Sequence, residues 1–159
     1  MRILIIAIAI ALGGESLAVE LTWARRWGGS GSDIPAAVAV DGSGATITAG
    51  SFTGTVDFDP GPGVVELAPV LTTGAYVSKL DAAGDLVWAR TFGGPAVPSV
   101  LDVTVDGAGN VYVSGSFPAT VDFDPGAGTA QLTSSGVTEA YVVKLDANGD
   151  FVWARGWGS

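Results

Sequence analysis

Cysteine and histidine are both absent from this chain. The first absence rules out disulfides and thiolate metal sites, so stability has to come from packing. The second removes the commonest general base, every Ser-His-Asp triad and nearly all zinc and iron chemistry. Positive charge is scarce as well, with 7 Lys plus Arg against 16 Asp plus Glu and a net charge of −9. Nucleic acids and anionic membrane surfaces are held largely through Lys and Arg, so neither is an expected partner. Long apolar runs are missing too. The longest covers residues 3–12, well short of the ~20 residues a spanning helix needs.

That short run fits a different role. Arg2 supplies a positive start, Gly13 and Gly14 follow the apolar stretch, and Ser16-Leu17-Ala18 makes a small-x-Ala site. Residues 1–18 therefore read as a secretory signal peptide, cut before Val19. The expected localisation is secreted, extracellular or cell-surface, with no membrane insertion after cleavage. The lone Arg2 and the missing lipobox cysteine lead us to expect export without a lipid anchor.

What the chain has in abundance is glycine, 24 residues, and repetition. Trp23-Ala24-Arg25 returns as Trp88-Ala89-Arg90 and as Trp153-Ala154-Arg155, a period of 65 (88 − 23 = 65; 153 − 88 = 65). At the same offset Thr55-Val56-Asp57-Phe58-Asp59-Pro60-Gly61 returns as Thr120-Val121-Asp122-Phe123-Asp124-Pro125-Gly126. Tyr76-Val77 and Lys79-Leu80-Asp81-Ala82 likewise return as Tyr141-Val142 and Lys144-Leu145-Asp146-Ala147. A fixed period of this length marks one supersecondary unit, stacked because it cannot bury its apolar faces alone.

Each unit reads as β-structure. Val38-Ala39-Val40 predicts a buried strand, and Asp41-Gly42-Ser43-Gly44 a tight turn; in the second copy Asp106-Gly107-Ala108-Gly109-Asn110 leads into the strand Val111-Tyr112-Val113. Residues 55–59 alternate, with Val56 and Phe58 on one side and Asp57 and Asp59 on the other, until Pro60-Gly61 ends the pattern. Residues 64–73 match 129–138 only loosely and read as surface excursions, with a short strand at 64–67. A last hairpin turns at Asp81-Ala82-Ala83-Gly84-Asp85, copied as Asp146-Ala147-Asn148-Gly149-Asp150, with glycine in the left-handed position. On its closing strand Leu86, Trp88, Arg90 and Phe92 are expected on one face and Val87, Ala89 and Thr91 on the other. Both faces are largely apolar, so both should be covered.

The run V-D-x-x-G-N-x-Y-V-x-G-S-F, then T-V-D-F-D-P-G, then Y-V-x-K-L-D-x-x-G-D-x-V-W-A-R resembles the β-propeller repeat family of bacterial exported proteins, the seven-bladed propeller type of repeat. The resemblance covers nearly all of residues 20–159. It implies radially arranged four-stranded blades in secreted or surface proteins, and it carries no catalytic set. The expected fold is all-β: two tandem four-stranded antiparallel propeller-like blades plus a leading strand, an incomplete propeller. Residues 1–18 are the signal peptide, 19–35 the leading strand of a partial repeat, 36–94 the first blade and 95–159 the second. Propellers close with four to eight blades, and two leave edges and apolar faces open. Three readings follow: a truncated or split piece of a longer array, assembly with copies of itself or neighbouring blades, or a stable open stack.

The sharpest candidate site is the repeated pair of carboxylates, Asp57 with Asp59 and Asp122 with Asp124. Two carboxylates beside glycine carbonyls are an incomplete shell for a hard cation such as calcium, which takes six to eight oxygens. The competing and stronger reading is that they accept backbone N–H bonds in the turn. Asp41, Asp106, Asp81, Asp85, Asp146 and Asp150 are turn residues on the same logic. Trp23, Trp27, Trp88, Trp153 and Trp157 could stack on sugars, but repetition in register favours inter-blade core, with Arg25, Arg90 and Arg155 beside them either in cation–π contact or snorkelling to the rim. The register predicts equivalent surroundings for Trp88 and Trp153. Gly28-Gly29 and Gly93-Gly94 lack the following helix of a phosphate loop. The sequence thus points to a secreted or cell-surface repeat protein with a structural or interaction role, no catalysis and no cofactor. The alternatives are a small extracellular module binding glycans or peptides through the variable loops and, remotely, a carboxylate-based hydrolase or lyase.

Overall fold

The computed structural model describes residues 3–10 and 19–158. The expected cleavage motif, Ser16-Leu17-Ala18, lies outside the described residues. Every regular element described is a strand, so no helix is long and apolar enough to cross a membrane.

Two strands lead the chain, β1 (Ile3–Ile10) and β2 (Val19–Gly29), the latter carrying Trp23-Ala24-Arg25. The first blade is built from β3 (Asp33–Val40), β4 (Thr46–Thr53), β7 (Thr73–Leu80) and β8 (Leu86–Phe92), hydrogen-bonded in that order and antiparallel throughout. Between β4 and β7 the chain makes an excursion through β5 (Val56–Asp57) and β6 (Glu66–Leu67). The second blade repeats the plan with β9 (Ser99–Val105), β10 (Val111–Phe117), β13 (Glu139–Leu145) and β14 (Phe151–Trp157). Its excursion carries β11 (Thr120–Asp122) and β12 (Gln131–Thr133). The architecture is all-β, two propeller-like blades preceded by a pair of strands where the sequence predicts a single leading strand, with no ring closure among the described residues.

Irregularities repeat along with the strands. The register slips between Pro35 and Ala37 in the first blade and between Ser114 and Gly115, opposite Val100 and Asp102, in the second. Both slips sit beside a glycine that only a missing Cβ permits. A side chain on Gly50 would collide with the Ile34 carbonyl and the Tyr76 ring, and one on Gly115 with the Ser99 carbonyl and the Tyr141 ring.

A second slip, between Lys79 and Leu80 opposite Trp88 and Leu86, corrects the expected facing of β8. Strict alternation puts Leu86 beside Trp88. The bulge instead turns Leu86 to the side of Ala89, where both pack into the cluster of Trp23, Phe52, Phe58 and Tyr76. Trp88 and Phe92 face the opposite way, into the cluster shared with the second blade. Strand β1 pairs with β2 in this same register, Ile3 opposite Trp27 and Ala7 opposite Trp23, with a slip between Ala7 and Ile8. It therefore stands where β7 stands against β8.

Each blade consequently has two working faces. Ile47, Ala49, Val77 and Trp88 of the first blade pack on Val103, Val111, Val113 and Val143 of the second. The other face of the first blade, with Phe52, Tyr76 and Leu80, is covered by Trp23 and Trp27 of β2. Apolar area removed from water at these two layers is the principal stabilising term.

Candidate interaction surface

The joint between units is made by the Trp-Ala-Arg strand of one unit and the last hairpin turn of the next. In that turn Asp81 Oδ1 accepts the amides of Ala83 and Asp85, and Gly84 closes it at φ +83°. Asp146 does the same for Asn148 and Asp150, with Gly149 at φ +78°. Left-handed φ is cheap for glycine alone, which is why the position is fixed. The turn's carbonyls then point outward, toward the preceding unit.

Trp23 Nε1 donates to the Ala82 carbonyl at 2.9 Å, and Trp88 Nε1 donates to the Ala147 carbonyl at 3.0 Å. Arg25 Nε donates to Gly84 O at 3.1 Å, and Arg90 Nε donates to Gly149 O at 3.0 Å. The guanidinium Nη2 of each reaches one carbonyl further, Ala83 O for Arg25 and Asn148 O for Arg90. It also meets a carboxylate, Asp85 at 3.4 Å or Asp150 at 3.3 Å. A planar fork with several donors suits this cluster of main-chain acceptors. The exposed ion pair contributes little by itself.

A second contact backs each clamp. Gly28 and Gly29 at the end of β2 pair with Asp57 and Val56, and Gly93 after β8 bridges Asp122 with paired N–H to O bonds of 2.9 and 3.2 Å. These glycines are strand partners and not a phosphate loop. Below them sits an aromatic cage. Phe58 lies 5.2 Å from Tyr76, and Phe123 lies 4.6 Å from Tyr141, ring centre to ring centre. Burial pushes both phenols well above the ordinary tyrosine range. Trp27 closes the first cage at 3% exposure and Phe92 the second at 2%, whereas the corresponding Trp157 is 56% exposed.

Trp157 marks where the expected equivalence fails. Trp88 is buried by the blade that follows it, but Trp153 has no following turn among the described residues and is only half-buried. The burying partner lies on the next unit, so only Trp23 and Trp88 share surroundings. Yet the third clamp keeps its form. Arg155 Nη1 donates to the Ala154 carbonyl at 3.1 Å, as Arg90 Nη1 does to Ala89. Arg155 also lies over the Trp153 ring at 6.0 Å, as Arg90 lies over Trp88 at 5.8 Å. Of the two roles expected for these arginines, cation–π contact is seen for Arg90 and Arg155. The hydrogen-bonded clamp was not anticipated, because its acceptors are main-chain carbonyls 59 residues away.

The repeated carboxylates are engaged in their turns. Asp57 Oδ1 accepts the amides of Asp59 and Val65 at 3.1 and 2.9 Å, and Asp122 Oδ1 those of Asp124 and Ala130 at 3.1 and 2.8 Å. Asp59 Oδ1 accepts Gly61 N, and Asp124 Oδ1 accepts Gly126 N, both at 2.7 Å. No cluster of three or more acidic side chains suited to a metal ion occurs among the described residues.

The first-hairpin turn is tuned differently in the two blades. The Ser43 hydroxyl, 2.6 Å from Asp41 Oδ1, holds that carboxyl far below the ordinary range, and Lys79 Nζ lies 2.9 Å from its other oxygen. In the second blade the Asn110 side chain, with Tyr112, holds Asp106 down to about 2.

No established family profile matches the chain. It is similar to an uncharacterised WD repeat-containing protein of Acanthamoeba polyphaga mimivirus, 32% identical over 87 residues, covering 46% of this chain and 6% of that protein. It is also similar to the regulatory protein FlaEY of Caulobacter vibrioides, 33% identical over 75 residues, covering 47% of this chain and 8% of that protein. The chain spans less than a tenth of either relative. Together with the antiparallel sheets, the first likeness identifies a repeat β-structure.

Proposed function

We propose that the chain is an exported β-propeller repeat protein with a structural or interaction role and no catalysis. One observation carries the reading. The turn carboxylates of one blade have counterparts in the other, and both members of each pair are occupied by turn amides: Asp57 and Asp122, Asp59 and Asp124, Asp81 and Asp146. The buried Asp33 stands outside this set, since Pro98 takes its place in the second blade and its carboxylate accepts the Gly29 amide. Duplicate groups in duplicate bonds supply backbone order, whereas an acid/base pair needs two carboxyl groups in different surroundings. Export rests on the leader-like residues 1–18. Mass spectrometry of the protein recovered from a bacterial culture medium tests it, with Val19 expected at the N-terminus. Full-length protein retained in the cytoplasm overturns export.

The glycan- or peptide-binding alternative has its own support. The two excursions differ in sequence and leave Val64, Val70, Leu71 and Val137 exposed, apolar side chains held away from the core. Exchanging residues 64–73 with 129–138 should then change which ligands bind on a glycan or peptide array, with no change in unfolding midpoint.

A further inference from the structure

We propose that the far face of the second blade docks onto the first blade of a second copy of this chain, displacing that copy's own leading strand β2. The inference deepens the propeller-repeat reading and rests on it.

Three features define the docking side. Trp153 and Arg155 hold the geometry of a clamp that has no turn to grip among the described residues. Trp157 projects 56% exposed where Trp27 and Phe92 fill aromatic cages. Tyr112 and Val142 are half-buried where their counterparts Ile47 and Val77 are fully buried. All belong to one face, the one that in the first blade is covered by the second.

The receiving side is present on the same chain. The first blade carries a turn that presents its carbonyls to Trp23 and Arg25, a Thr55-Val56-Asp57 strand identical to the one bridged by Gly93, and the Phe52, Phe58, Tyr76 cage. Clamp turn, bridge and cage of the first blade are therefore complementary to β14, as those of the second blade are to β8. Complementarity of this kind selects another copy over an unrelated protein.

The current occupant of that site is a weaker one. Strand β2 brings the clamp and Trp27, but no complete blade behind them. The receiving face is also graded for exchange. Thr46, Thr48 and Ser78 stand where the internal joint has Val111, Val113 and Val143. Hydroxyls tolerate intermittent wetting better than valines do, as expected of a joint that opens. The new contact is head-to-tail, so it closes into a ring when the rotation allows. Two copies give the four blades that form the smallest common propeller.

The experiment is light scattering on the full chain over a concentration series, with two matched double variants. Trp153→Ala/Arg155→Ala removes the docking clamp and should leave a monomer. Trp23→Ala/Arg25→Ala weakens the competing leading strand and should tighten association on the order of tenfold. Substitutions at equivalent positions of one motif thus act in opposite directions, which a merely structural role does not produce. Far-UV circular dichroism confirms that both variants fold. Should the Trp23/Arg25 variant misfold, Arg25→Ala alone serves, with a smaller shift of the same sign. Wild-type protein that stays monomeric at high concentration overturns the proposal, as does association weakened by both variants. Uptake only of a different propeller-repeat chain also overturns it. In each case a buried Trp88 leaves the propeller reading standing; an exposed Trp88 brings down both.

Discussion

Trp88 gives its indole proton to the carbonyl of Ala147, 59 residues away, over 3.0 Å. Trp23 makes the same bond to Ala82 across the same separation. The joint between units is thus a recurring fixture, and its energetics should differ sharply between the clamps that are covered and the one that is not.

Trp88→Ala removes a buried indole and orphans the Ala147 carbonyl, and should cost about 3–5 kcal/mol in chemical denaturation. Trp153→Ala, measured at dilution, should cost about 1 kcal/mol or less, because its ring is already partly wet. Equal losses would contradict the assignment of covered and uncovered faces.

Gly84→Ala and Gly149→Ala should each destabilise by about 1–3 kcal/mol. The left-handed backbone penalises any side chain, and a Cβ would lie 2.9 Å from the Trp23 ring or 2.7 Å from that of Trp88. The second variant should also red-shift tryptophan fluorescence, as the Trp88 clamp opens. An unshifted spectrum would count against the clamp.

The repeat, the hairpins and the turn glycines are legible in the sequence, since each leaves a side-chain trace at a fixed offset. The turn use of Asp57 and Asp122 is equally legible, from the Pro-Gly that follows each pair. The expected burial of the Val38-Ala39-Val40 strand is not met: Val38 and Val40 are exposed, because β3 is the edge strand of its sheet. The clamp was hidden because carbonyl acceptors have no sequence signature; only the constant pairing of Arg25 and Arg90 with a left-handed glycine could have pointed to it. Leu86 lies on the face opposite to the one alternation predicts, for a related reason. Its bulge comes from the pairing of β7 with β8, and alternation along a single strand does not encode it. Trp153 and Trp157 differ from their copies because burial depends on what stands opposite them, which local sequence does not contain.

Asp57→Ala and Asp122→Ala each strip two amides of their acceptor and should cost about 1–3 kcal/mol, equal within error. Chelation by EDTA should leave the wild-type melting temperature unchanged. A calcium-dependent rise in melting temperature, lost in both variants, would assign the carboxylates to a metal instead.

Acid should weaken the fold through its turns. Hydrogen bonds from Ser43, Asn110 and the Asp150 amide lower the carboxyls of Asp41, Asp106 and Asp146 respectively, Asp106 to about 2. The unfolded chain, with aspartate near ~3.9, therefore binds protons first as pH falls. The stabilisation is complete above that value and is lost as pH drops through the folded-state values. Melting temperature should hold between pH 7 and about 5 and fall steadily toward pH 2. Asp41→Asn with Asp106→Asn should flatten the slope. A midpoint that rises on acidification would contradict the turn assignment.

Amide and indole hydrogen exchange, followed by NMR on dilute full-length protein, tests the stacked-unit account most directly. The indole protons of Trp23 and Trp88 should exchange slowly and that of Trp153 fast, because only the first two reach a turn of the next unit. Exchange at Trp88 as fast as at Trp153 would mean that the blades do not stack through this strand.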